Sequence, residues 1–116
     1  MDNTAGQTRS EFLDQGTPGF AVGKIVFDAT AIKEDEFLYV HVGFSPRHVR
    51  VVEKSGCALE WFKGMEQNSA FKTDASGAVT LESNGIAPDE RGFRISQKTA
   101  LGIVAANGAL HFVAQV

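Results

Sequence analysis

From residue 23 onward the chain is a succession of short runs rich in β-branched and aromatic residues, each closed by a cluster of Gly, Asn, Asp or Ser. Most runs are five to seven residues long, the usual length of a strand and too short for an ordinary helix. The texture therefore predicts an all-β domain. Strands are expected over residues 24–30, 36–42, 48–53, 57–63, 77–82, 92–96, 99–105 and 109–115. Side chains alternate across a strand, and several runs alternate in character. Leu38, Val40 and Val42 oppose Phe37, Tyr39 and His41; Val49 and Val51 oppose His48, Arg50 and Val52; Phe93 and Ile95 oppose Arg94 and Ser96. A face of this kind is suited to a shared core, so the expected architecture is two packed antiparallel layers, a β-sandwich or jelly-roll-like domain.

Two connections are specified by their residues. Lys54-Ser55-Gly56 joins two apolar runs as a three-residue hairpin loop with Gly at its end. Asn107-Gly108 can take positive φ at both turn positions, which predicts a tight two-residue hairpin between 99–105 and 109–115. The opening segment is different in kind. Residues 1–22 mix Gly, Thr, Asp, Gln and Ser around the isolated apolar pair Phe12 and Leu13 and end near Thr17-Pro18-Gly19, a turn signal. Ser10 can cap a short helix over residues 10–15, which Gly16 and Pro18 would end after little more than a turn. The expected organisation is an N-terminal arm, 1–22, and one β-sandwich domain, 23–116, with no internal repeat.

Composition narrows the function. Hydrophobic residues make up 43% and charged residues 22%, so the chain can bury a core and is not of the disordered type. With a formal net charge of -3 it has no excess of Lys and Arg to displace counterions, which disfavours a nucleic-acid or anionic-membrane partner. Cys57 is the one cysteine, so packing, not an internal disulfide, must hold the fold. No stretch approaches the roughly 18–20 apolar residues of a membrane helix, and the start carries no basic segment followed by an apolar block. The expectation is a protein made and used in solution, in cytoplasm.

Chemistry is sparse. His41, His48 and His111 fall on three separate predicted strands without the close His or Cys spacing of a zinc motif. Cys57, within Ser55-Gly56-Cys57-Ala58, has neither a base nor an oxyanion donor beside it in sequence. Glu34-Asp35-Glu36 and Asp89-Glu90 read as solvated loop charge, and the glycines form no phosphate-binding pattern. No catalytic, cofactor-binding or metal-ligating residue is assigned, and an enzyme is not expected. The most informative local feature is Trp61-Phe62-Lys63-Gly64-Met65. Successive Trp and Phe side chains point to opposite sides of a strand. Either Trp61 fills the core and Phe62 packs under the loop beginning at Gly64, or one of the two is exposed at a contact between subunits.

The stretch Val42-Gly43-Phe44-Ser45-Pro46-Arg47-His48-Val49-Arg50-Val51-Val52, followed by Glu60-Trp61-Phe62-Lys63-Gly64-Met65, resembles small structural proteins of tailed-bacteriophage virions. Ser83-Asn84-Gly85-Ile86 and Gly92-Phe93-Arg94-Ile95 continue the pattern, so the resemblance covers roughly residues 37–116. It implies a non-enzymatic β-sandwich on the head surface of the virion, of the decoration or cement type. The implied partner is the major capsid protein, and the implied state is a homo-oligomer, a trimer, with no cofactor. The contacts expected on this reading are Phe12 and Leu13 of the arm, Arg47, Trp61, Phe62 and Met65. Two other classes carry the same texture: a tail, baseplate or fibre component, and a small carbohydrate-binding module that uses exposed aromatics.

Overall fold

The structure, a computed structural model, describes residues 9–27, 29, 32–33 and 35–116. They form strands β1 (Arg9–Thr17), β2 (Phe20–Phe27), β3 (Phe37–His41), β4 (His48–Glu53), β5 (Ala58–Phe62), β6 (Ser69–Thr73), β7 (Val79–Pro88), β8 (Gly92–Ser96) and β9 (Ala109–Gln115), with a single 3-10 turn at Thr99–Leu101. The all-β class expected from the sequence is the class of the structure. Strands β2–β9 make one antiparallel sheet in the order β2-β9-β4-β5-β6-β7-β8-β3, and β1 lies along the outer edge of β2.

The two expected layers are two halves of this one sheet, which rolls over on itself. Phe93 in β8 and Phe112 in β9 meet edge to face with ring centroids 5.6 Å apart. Five strand spacings separate them along the sheet, on the order of 24 Å if the sheet were flat. Rolling closes that gap around one core, which includes Ile25, Leu38, Val49, Leu59, Trp61, Ile86, Ile95 and Leu110. Each fully buried aliphatic side chain of this size contributes about 1.5–3 kcal/mol relative to exposure. The bend is built into β7. Its pairing with β6 jumps from Ala70↔Glu82 to Ser69↔Ile86, so Ser83, Asn84 and Gly85 bulge out of the ladder, and an extra-residue bulge bends its strand. A Cβ on Gly85 would lie 2.6 Å from the Ala70 Cβ, so the corner admits only glycine.

The Lys54-Ser55-Gly56 hairpin forms as expected: Glu53 N donates to the Cys57 carbonyl at 2.8 Å, and Gly56 takes a φ of 103°. The Asn107-Gly108 hairpin does not. The 99–105 segment forms no strand; after the 3-10 turn it enters the core as an irregular plug, with Leu101, Ile103 and Val104 all buried. Two adjacent buried apolar residues are what a plug surrounded by protein tolerates and a one-faced strand does not. A turn remains at Asn107, which alone of the pair has positive φ (60°), with Gly108 N donating to the Ala105 carbonyl at 3.0 Å. Strand β9 pairs instead with β2 and β4.

Two strands lie outside the sequence expectation. β6 has only Ala70 and Phe71 as apolar residues, too few to register as a run. β1 occupies the place where a short helix over 10–15 was considered; its backbone pairs antiparallel with β2 from Arg9↔Phe27 to Asp14↔Val22. β2 itself begins at Phe20, within the segment expected to be arm.

Candidate interaction face

The register places residues from as many as six strands in continuous rows on the outside of the rolled sheet. One row runs Val22, Val113, Arg50, Glu60, Phe71, Leu81; another runs Phe20, Gln115, His48, Phe62. The flanks of this face are apolar: Phe20, Val22, Phe62 and Phe71 are each about two-fifths exposed, and Leu81 is 66% exposed.

Its centre is a small polar network. The Gln115 side-chain nitrogen donates to His48 Nδ1 at 2.8 Å, which leaves the proton on Nε2 to donate to Glu60 Oε2 at 2.7 Å. Glu60 Oε1 lies 3.5 Å from Arg50 Nη1. The His48 ring stacks on Phe62, centroid to centroid 4.8 Å and 21° from parallel. Phe62 is thus an exposed aromatic held in one orientation, whereas an unstacked surface ring would rotate.

Of the residues expected to make contacts, Arg47, Trp61, Phe62 and Met65 gather at the end of the sheet where β4 begins and β5 ends. The Trp61–Phe62 pair divides as alternation requires: Trp61 is 3% exposed, with its indole N–H donating to the Glu66 carbonyl at 3.3 Å, and Phe62 is 42% exposed. Trp61 is a core residue whose edge reaches the surface at one cleft. Met65 folds back on Phe62, its Sδ accepting from Phe62 N at 3.3 Å, and packs against the core. Arg47 is exposed, and its carbonyl accepts from Lys63 N at 2.7 Å. Arg47 and Lys63 thereby rim a cleft of about 300 Å3 with Ser45, Pro46, Trp61, Pro88 and Val116. Phe12 and Leu13 lie on β1 opposite Lys24 and Gly23, at the far side of β2; the contacts expected of their side chains fall outside the described residues.

Sequence reasoning missed Phe20, Phe71 and Leu81 as members of this face. Phe20 lies in the segment expected to be arm and Phe71 outside every expected strand, and only the register shows that Leu81 continues the row of Arg50 and Glu60. Among the described residues no group of three or more His, Cys, Asp or Glu could hold a metal ion. His41, His48 and His111 stand on β3, β4 and β9, and Cys57 is half-buried at the hairpin turn, with the Ser55 hydroxyl 3.9 Å from its sulfur.

Comparison of the chain with protein-family models, with curated proteins and with solved structures finds no match.

Proposed function

We propose that the chain is a non-catalytic assembly module: a tailed-phage virion protein that decorates the head as a homo-oligomer bound to the major capsid protein, after synthesis in the host cytoplasm. The observation that carries this reading is the division of Trp61 and Phe62. Trp61 completes the core, while Phe62 is turned outward, fixed by the His48 stack, with Arg50 at the next pair along the strand on the same face. Aromatic residues, phenylalanine among them, and arginine are enriched at interfaces, and prior ordering reduces the entropy lost on docking. The resemblance in 42–52 and 60–65 supplies the particle.

The test is binding of the purified protein to capsids that lack it, followed by cryo-electron microscopy of the decorated particle. Phe62→Ala and Arg47→Ala are expected to lower occupancy while melting stays close to wild type. Failure of the wild-type protein to bind any capsid, with binding to tails or baseplates, would move the assignment to a tail, baseplate or fibre component. Monomeric binding to a glycan through Phe62 would make it a carbohydrate-binding module.

A further inference from the structure

Strand β7 has two neighbours, but only one runs beside its first half. β6 pairs with Val79, Thr80, Leu81 and Glu82 and, past the bulge, with Ile86, whereas β8 pairs only with Ile86, Ala87 and Pro88. Among the described residues, therefore, the edge of β7 from Val79 to Glu82 that faces away from β6 has no strand beside it. Its side chains do not shield it. Val79 is 61% and Leu81 66% exposed, both on the outer face, with half-exposed Phe71 next to Leu81 in the row.

Folded monomers protect an open edge with lysine, proline, a bulge within the edge or a covering loop, because its unpaired N–H and C=O groups recruit another strand. The stretch Val79-Thr80-Leu81-Glu82 has no lysine or proline and one charge, Glu82 at its end, and the bulge lies after it. The strand at the other end of the sheet, β3, differs: its outward residues Phe37 and Tyr39 are half-buried, and Phe37 lies under the Arg94 guanidinium at 4.2 Å.

We propose that this edge is a homodimer site, at which β7 pairs antiparallel with β7 of a second copy about a two-fold axis perpendicular to the sheet. The sequence of the edge is complementary to itself. Directly opposed residues of an antiparallel pair share a face, so the outer faces of the two copies align only when residues of the same parity meet. Centred on Thr80, the pairing sets Val79 against Leu81 of the second copy and Leu81 against its Val79. The two Thr80 hydroxyls then meet on the other face, and each Glu82 is opposed by Ala78. No like charges face each other, whereas centring on Glu82 would oppose two carboxylates. The same patch used on both copies gives closed two-fold symmetry, the commonest form of homo-oligomer. Main-chain pairing supplies the affinity and the apolar quartet fixes the register. This contact leaves the Phe62 end of the sheet free and does not depend on the capsid reading.

The experiment is sedimentation velocity of the full-length wild type, Leu81→Lys and Val79→Lys over a range of micromolar concentrations, together with amide hydrogen exchange at residues 79–82. The wild type is expected to sediment as a dimer with slowed exchange at these amides. Both lysine variants are expected to be monomers with fast exchange there and with unchanged circular dichroism and melting of the body, since both side chains are exposed in the monomer. A wild type that stays monomeric throughout would overturn the proposal, and so would a dimer or trimer that survives Leu81→Lys. Dimerisation with fast exchange at 79–82 would overturn it too, because the pairing would lie elsewhere.

Discussion

A methyl group on Gly92 would lie 1.9 Å from the Val40 carbonyl oxygen, so at this residue β8 approaches β3 more closely than any side chain permits. Gly92→Ala must push the two strands apart at the His41↔Gly92 pair and disturb Phe93, which is fully buried next to it. Urea denaturation is expected to show a loss at or above the ~3 kcal/mol of an overpacked core position. Trp61 and Phe62 make a second test at the same scale. Trp61→Ala empties a core site and is expected to cost about 3–5 kcal/mol; Phe62→Ala removes a half-exposed ring and is expected to cost less than about 1 kcal/mol of stability. Equal losses for the two would contradict the division between core and surface. Alternation along the chain foretold that these neighbours part ways, since it depends only on the strand being a strand. The His48 stack and its link to Gln115, 67 residues away, were not foretold, because cross-strand neighbours are set by register, which one run of sequence does not contain.

Two of the hairpins turn in the same way, and the repetition gives the turn a chemical rule. In Glu53-Lys54-Ser55-Gly56 and Asp74-Ala75-Ser76-Gly77 an acidic residue is followed by Ser two places on and by Gly at positive φ, 103° and 94°. In each, the carboxylate accepts from the serine amide and hydroxyl. Glu53 takes the Ser55 amide at 2.7 Å and also the Ser55 hydroxyl; Asp74 takes the Ser76 amide at 2.9 Å and the hydroxyl at 2.6 Å. The Ser76 hydroxyl, followed by the Ala78 amide, holds the Asp74 carboxyl below its ordinary value of 3.8. A carboxylate with a lowered folded-state pKa adds stability that is present above the unfolded value and lost as pH falls through the folded one. Nuclear magnetic resonance titration should therefore find Asp74 half-protonated below pH 3.8, with amide exchange at Ser76 and Ala78 rising as that proton binds. Asp74→Ala should speed the same exchange at neutral pH and leave the Glu53 turn untouched. The first of these hairpins was legible because apolar runs flank it on both sides; the second was not, because β6 carries so few. The misread element, 99–105, fails for the opposite reason: its apolar content suggested a strand, but Leu101, Ile103 and Val104 are all buried by a surrounding sheet that local sequence does not reveal.

The whole molecule is a rolled sheet whose central strand on one side, β9, follows all the others in the chain and sits between β2 and β4. Every row of the outer face that begins on β2 crosses β9, through Ala109, His111, Val113 or Gln115. Pairing over such long sequence separations is slow to form, on the order of milliseconds to seconds for sheets of this kind. Removal of residues 109–116 should abolish cooperative folding outright, leaving no sharp melting transition by circular dichroism, since β2 and β4 would both lose their shared neighbour. The same order has a consequence during translation. Until β9 leaves the ribosome, β2 and β4 have no strand between them, Phe93 lacks its Phe112 partner, and His48 has no Gln115 to set its tautomer. A growing chain therefore carries no finished outer face: the row of Phe20, Gln115, His48 and Phe62 exists only once β9 has inserted.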